Sequence, residues 1–162
     1  MEVSARPALV ADIPEIVRLY ELLTSEMALL EEIWPVADGI PAPPEAWLAG
    51  RIDDPTASVL VGEIDRVPVG FLVGIRESLP RQASGARIGA IRYLFTEPAA
   101  REVGVGEALT GAYLAEERAA GVTLFYAHVT PGHRLTNNFF ESQGFTARRI
   151  VMHRSEEGHD DD

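Results

Sequence analysis

The 162-residue chain contains no cysteine and no lysine. Without cysteine it has no disulfide framework, no thiolate metal ligand and no catalytic thiol, and cysteine usage leaves the redox compartment undecided. Without lysine, all 14 basic residues are arginine, and 25 acidic residues set the formal net charge at −11. That balance excludes non-specific nucleic-acid binding, which needs a cationic surface to neutralise phosphates. It suits a soluble protein, and it attracts cations. The N-terminal "MEVSARPALVADIPEI" lacks the basic start and apolar run of a signal peptide, and no apolar stretch approaches the roughly 18 residues of a membrane span. The expectation is a cytoplasmic protein with no membrane partner. His133, His153 and His159 show no ligand spacing, so no metal is expected.

What is present reads as globular. A hydrophobic fraction of 46% over this length suits one domain, assigned to residues 1–154, with the acidic tail 155–162 expected to be disordered. After a short opening strand, Asp12 and Glu15 form a capping-box pattern, and Ile13, Ile16, Val17, Tyr20, Leu23 and Met27 recur at helical spacing. "WPVADGIPAPPEAW" interrupts regular structure, and a second helix begins near Pro44 and ends at Gly50. Strands over 58–64 and 67–77 meet at Asp65-Arg66 as an antiparallel hairpin. "RIGAIRYLFTE" is a third extended run, followed by a helix with Val105, Ala108, Leu109 and Ala112 along one side. "VTLFYAHVT" reads as a strand, "HRLTNNFFESQ" as a helix stopped by Gly144, and "FTARRIVMHR" as a last strand. The order is that of a mixed α/β sheet domain.

Between the third extended run and its helix lies "PAAREVGVGEALTGAYL", residues 98–114. A glycine turn before a helix gathers free backbone amides at the positive end of the helix dipole, where an anion such as phosphate is favoured. Gly104 and Gly106 permit close approach or positive φ, and Arg101 adds a planar, permanent cation. A tight turn with no ligand is the alternative. The P-loop is excluded because it needs a lysine, and the dinucleotide fingerprint fits poorly because Leu109 stands where it needs a small residue.

With these residues in view the chain resembles the GNAT superfamily of acyl-CoA-dependent N-acyltransferases. Arg6-Pro7-Ala8 with Asp12-Ile13, the hairpin end Val69-Gly70-Phe71, the Pro98 to Gly106 loop and Phe139-Phe140-Glu141-Ser142-Gln143-Gly144-Phe145 all match. The resemblance implies a mainly antiparallel sheet flanked by helices, with the fourth and fifth strands splayed apart. Acetyl-CoA would lie between them, its pantetheine arm along Leu94, Phe95 and Thr96. Its diphosphate would meet Arg101, Glu102, Val103, Gly104, Val105, Gly106 and Glu107. His133, Asn137 and Phe140 match coenzyme-side positions of the C-terminal helix, and Glu102 stands where the family has glycine. The reaction implied is acetyl transfer to a small-molecule or peptide amine by direct attack. A non-catalytic acyl-CoA-binding module is the alternative, and the acceptor, the acyl length and the choice of monomer or homodimer stay open.

Two of the family's usual groups are absent. Phe140 replaces the tyrosine that protonates the leaving thiolate, and "IGAIRYLF" has no carboxylate to act as base. Neutralising an alkyl ammonium of pKa about 10.4 at pH 7 takes roughly 4.6 kcal/mol, whereas a thiolate of pKa about 8.5 leaves an acid only about 2 kcal/mol to relieve. The base therefore matters more, and His128 is the first candidate, with Glu97 second. Each has a plainer reading, as a strand histidine bonded to a carbonyl and as a solvated carboxylate. Glu26, Glu31, Trp34 and Tyr93 are expected at the acceptor side, where an acidic mouth would favour cationic amines. A solvated acidic face and buried aromatics are the alternatives.

Overall fold

Consecutive apolar residues in "SVLV" and "GFLV" leave neither side of their strands free for solvent, so a layer of helix is needed on each face. The computed structural model, which describes residues 1–30, 39–79, 85–130, 132–152, 154 and 156, supplies both layers. Its elements are β1 (Val3–Pro7), α1 (Ile13–Met27), α2 (Pro44–Asp53), β2 (Ala57–Ile64), β3 (Val67–Ser78), β4 (Arg87–Thr96), α3 (Val105–Ala119), β5 (Leu124–Ala127) and α4 (Arg134–Ser142). The five strands lie in the order β1-β2-β3-β4-β5. All pairs are antiparallel except β4 with β5. Among the described residues no helix is long and apolar enough to cross a membrane.

Alternation along the strands feeds two cores. Val59, Val61, Phe71, Val73 and Phe95 join Ile13, Ile16, Leu19 and Leu48 of α1 and α2. Leu60, Leu72 and Ile91 join Val105, Leu109, Tyr113 and Phe140 of α3 and α4. At the hairpin, Asp65 and Arg66 have φ of 48° and 67°, the left-handed pair that suits a two-residue turn between twisted strands.

The third helix rests on a part of the sheet where glycine lies beneath it. A Cβ at Gly62 would fall 2.7 Å from Val105, and one at Gly74 would fall 2.3 Å from the Tyr113 ring. A Cβ at Gly89 would come within 2.9 Å of both the Tyr113 hydroxyl and Phe125. Val105, Leu109 and Tyr113 are four residues apart, so one stripe of α3 rests on this glycine floor. Farther along, Arg76 of β3 grips the buried Glu117 through Nε to Oε2 at 2.7 Å and Nη2 to Oε1 at 3.1 Å. Burial pushes the Tyr113 phenol above its ordinary pKa, and the Glu117 carboxylate adds to that shift. Together these contacts fix where the N-terminus of α3 points.

A β-bulge sets the splay. Val73 pairs with Tyr93 and Gly74 with Ile91, leaving Arg92 as the extra residue, its Nη1 bonded to Glu77 Oε1 at 2.8 Å. The insertion switches which face the chain presents, so Ile91 faces α3 whereas Tyr93 packs with the first core. At the same point the β4–β5 ladder stops, after Ile91↔Ala127 and a last bond from His128 N to Ile91 O at 3.0 Å.

Several sequence expectations differ from what forms. Asp12 precedes α1 but does not cap it; it takes a bidentate pair from Arg6 at 2.8 and 2.9 Å and the Leu9 amide at 2.7 Å. A short 3₁₀ turn, Val10–Asp12, leads into the helix instead. Gly50 lies inside α2, which runs on to Asp53 and stops where Asp54 turns back to accept from the Thr56 amide and hydroxyl. The strand predicted over 145–154 does not form in the described part of that range. Its alternation places Arg148 on one face and Arg149 on the other, so neither face is uniformly apolar. Side chains hold the segment near β5 instead: Phe145 packs edge-on against Phe140, and Arg148 stands 5.6 Å from the Tyr126 ring centroid. The tail 155–162 lies outside the described residues except Glu156.

Candidate functional site

The bulge at Arg92 and the end of the ladder at Ala127 open a cleft bordered by the splayed half of β4, the start of α3 and the start of α4. From Tyr93 to Thr96, β4 remains paired with β3 along one edge, through Thr96↔Gly70, and has no strand along the other among the described residues. Leu94 packs toward the α3 core and Phe95 toward the α1 core. Beyond Ile91 the backbone along that second edge of β4 has no β5 partner.

At its floor the chain passes through a 3₁₀ turn, Pro98–Ala100, and then enters α3. Glu102 has φ of 66° and Gly104, the helix N-cap, φ of 95°. These two left-handed residues turn the backbone so that successive amides precede the helix, an arrangement that favours an anion. The first helical bond in this region is donated by Ala108 to Gly104 O at 2.9 Å. The amides of Glu102, Val103, Gly104, Val105, Gly106 and Glu107 have no acceptor among the described residues. Gly106 also allows close contact, since a Cβ there would stand 3.1 Å from the Phe139 ring of α4.

The left-handed Glu102 explains why glycine suits that position. A side chain held in this region costs about 1–2 kcal/mol relative to an ordinary backbone, partly offset by the greater freedom of glycine in the unfolded chain. Glu102→Gly is therefore expected to raise unfolding stability by about 0.5–1 kcal/mol, read as a higher urea midpoint at unchanged slope.

Arg101 is not directed freely outward. Its Nη1 and Nη2 meet Glu26 Oε1 and Oε2 at 2.8 and 2.7 Å, and its Nε meets Thr96 O at 3.0 Å. The guanidinium also stands 5.5 Å from the Phe95 ring centroid. Arg101 holds the Glu26 carboxyl below the usual carboxylate range, and His133 acts in the same direction. A second ion pair joins the same two elements, from Arg18 of α1 to Glu97, while the Glu97 amide donates to Val69 O at 2.8 Å. Helix α1 is thus tied to the loop leading into α3 by two pairs of opposite polarity. Sequence reasoning missed both, because the partners lie 75 and 79 residues apart.

The remaining described candidates lie on β4, just beyond β5 and on α4. His128 lies just beyond β5, exposed, with its amide closing the ladder. Because β5 ends at Ala127, His128 falls outside the strand expected over "VTLFYAHVT". His133 is the N-cap residue of α4, and its Nδ1 lies 2.7 Å from the Thr136 hydroxyl. Asn137 donates to Glu141 at 3.0 Å on the outer face. Phe140 is buried between Phe139 and Phe145, with ring centroids 5.3 and 5.2 Å away, and has no proton to give. Tyr93 meets Tyr20 and Trp47 edge-on, each at 6.0 Å. Tyr20, not singled out as a site residue in the sequence, also accepts the Ile40 amide at 2.8 Å. Glu31 and Trp34 lie outside the described residues.

Two cavities lie elsewhere, about 290 Å³ beside Arg76, Arg87 and Gly121 and about 130 Å³ beside Ser58 and Glu116. Both are near the C-terminal half of α3. No group of three or more acidic or histidine residues able to hold a metal ion occurs among the described residues.

The sequence profile of the acetyltransferase (GNAT) family matches residues 17–145. No curated protein sequence matches significantly. Among solved structures, a GCN5-related N-acetyltransferase from Ralstonia eutropha JMP134 is similar with TM-score 0.75 and 21% identity, over 95% of this chain and 99% of that one. A "predicted acetyltransferase with acetyl-CoA" from Clostridium acetobutylicum gives 0.74 and 14%, over 99% and 100% of the two chains. A ribosomal-protein-alanine N-acetyltransferase from Brucella melitensis gives 0.68 and 15%, over 95% and 99%. These likenesses establish a shared fold.

Proposed function

The chain belongs to the acetyltransferase (GNAT) family, and from that premise we propose that it transfers acetyl from acetyl-CoA to a primary amine by direct attack. The observation that carries the reading is the run of amides from Glu102 to Glu107 with no acceptor among the described residues, placed by left-handed Gly104 at the start of α3. Such a run fits a diphosphate in number and in polarity. Acetyl-CoA supplies the activated thioester. Amides 103–107 and Arg101 hold the diphosphate, and the cleft edge of Leu94, Phe95 and Thr96 aligns the arm leading to the reacting carbon. His133, Asn137 and Phe140 border the coenzyme from α4.

Proximity does much of the remaining work, because holding amine and thioester together replaces a bimolecular encounter. In the transfer the ammonium first gives one proton to the base, the free amine forms the C–N bond as the C–S bond breaks, and the second nitrogen proton is lost as coenzyme A leaves as the thiol. His128, at the splay point, is the base we favour. Glu97 is the weaker candidate because its carboxylate already accepts from Arg18. Tyr93, edge-on to Tyr20 and Trp47, forms the acceptor side. The acceptor is a small molecule or a peptide N-terminus.

A panel of alkyl amines, arylamines and short peptides, assayed for thiol release from acetyl-CoA, tests this. The reading predicts release that depends on at least one amine. A specific observation favours a second reading, since the position of the usual proton donor is the buried Phe140. That reading, a coenzyme-binding module without turnover, predicts acetyl-CoA binding and no amine-dependent release with any member of the panel.

A further inference from the structure

Arg101 precedes the amide run and is held on three sides, by Glu26 at both terminal nitrogens, by Thr96 O at Nε, and by the Phe95 ring. A guanidinium fork binds a carboxylate or a phosphate with the same two parallel bonds. The Glu26 carboxylate therefore makes with Arg101 the contact that a diphosphate oxygen pair would make. Arg18 is shared by Glu15 and Glu97, and Arg92 is taken by Glu77.

Resting on the reading of residues 101–107 as the diphosphate site, we propose that Glu26 is a resident competitor for Arg101, displaced when the coenzyme binds. Keeping both anions on one guanidinium would put a carboxylate and a diphosphate on either side of a single positive charge. The pair is only partly exposed, 22% at Arg101 and 28% at Glu26, so solvent would screen that excess negative charge incompletely. Exchange removes the conflict, because Arg101 turns its fork to the diphosphate and the Glu26 side chain moves toward solvent or toward His133. Glu26 stands in the last turn of α1, where the helix dipole disfavours a carboxylate. Its place there is therefore owed to Arg101. The coenzyme affinity of the native chain is accordingly lower than the loop alone would give, scaled down to the fraction of molecules in which Arg101 is free of Glu26.

Calorimetric titration of coenzyme A into the native protein, Glu26→Gln, Arg101→Gln and the double variant tests this. Glu26→Gln is expected to bind about tenfold more tightly, corresponding to Arg101 being about nine-tenths engaged by Glu26 in the free protein. In the Arg101→Gln background the same change should alter affinity by less than about twofold, since no cation is left to release. Unchanged or weaker binding by Glu26→Gln would overturn the proposal, because Glu26 would then be steadying Arg101 for the phosphate. A gain of equal size with and without Arg101 would overturn it too, since Glu26 would then act only as a nearby charge. Both results leave the diphosphate site standing. Failure of the native protein and Glu26→Gln to bind coenzyme A at all would remove the site and the proposal together.

Discussion

Gly104→Asp is expected to weaken coenzyme A binding about a hundredfold, or about 2.7 kcal/mol, while leaving the fold in place. Two effects combine at this residue. Its φ of 95° is a backbone conformation that side chains rarely adopt, although a Cβ there would meet nothing within 4 Å. Strain is therefore confined to the turn. The larger effect is charge. Two unit charges about 4 Å apart repel by about 4 kcal/mol at an effective dielectric of about 20, and an aspartate at the N-cap can also accept from the amides of Gly106 and Glu107, occupying the anion position from within. Some freedom to turn outward reduces the total. Gly104→Asn separates the two effects, because asparagine tolerates left-handed backbone and carries no charge. It should lose far less affinity than aspartate. Equal losses in the two variants, or a change below about threefold in both, would show that the amides do not meet the diphosphate.

The second large effect is on stability. Gly74→Ala is expected to destabilise the protein by about 3 kcal/mol, the upper end for overpacking. A new methyl would stand 2.3 Å from Cε2 and Cζ of Tyr113. The ring has nowhere to withdraw, since it also covers Gly89 and meets Phe125 edge-on with centroids 6.3 Å apart. Helix α3 would have to lift from the sheet at its centre. Urea unfolding should show a lower midpoint at similar slope, and Tyr113→Leu in the same chain should recover part of the loss by making room. A loss below about 1 kcal/mol would mean that α3 can shift at little cost. Because α3 also presents the amide run, Gly74→Ala should weaken coenzyme binding as well, by moving residues 103–107 relative to β4.

Local chemistry makes much of this architecture legible in the sequence. The Asp65-Arg66 turn, the apolar stripe of α1 and the glycine turn before α3 are written in a few adjacent residues, and each forms where expected. What the sequence hid is set by partners far along the chain. Asp12 carries a capping pattern, yet Arg6 claims its carboxylate because β1 brings the two together. Gly50 carries a stop signal, but an exposed glycine in a helix costs only about 1 kcal/mol, and packing through Leu48 continues α2 past it. The bulge at Arg92, which sets the splay, leaves no mark in "IGAIRYLF", since a bulge is a mismatch between two strands. The Glu26–Arg101 pair was unreadable for the same reason. The sequence points Glu26 to the acceptor and Arg101 to the coenzyme, and only the crossing of α1 over the loop reveals that they meet. The last strand is absent from the described part of 145–154 because its strand-forming residues are broken by adjacent arginines, a pattern that local propensity does not weigh.

The central claim is that successive amides at the start of α3 hold the coenzyme diphosphate. Titrating coenzyme A into ¹⁵N-labelled protein and following each backbone amide reads this directly. The account predicts that the amides of Val103 to Glu107 shift most and saturate together, while those of Arg87 and Gly121, beside the cavity at the other end of α3, remain in place. Saturable binding that moves other amides and leaves residues 103–107 unshifted would contradict it.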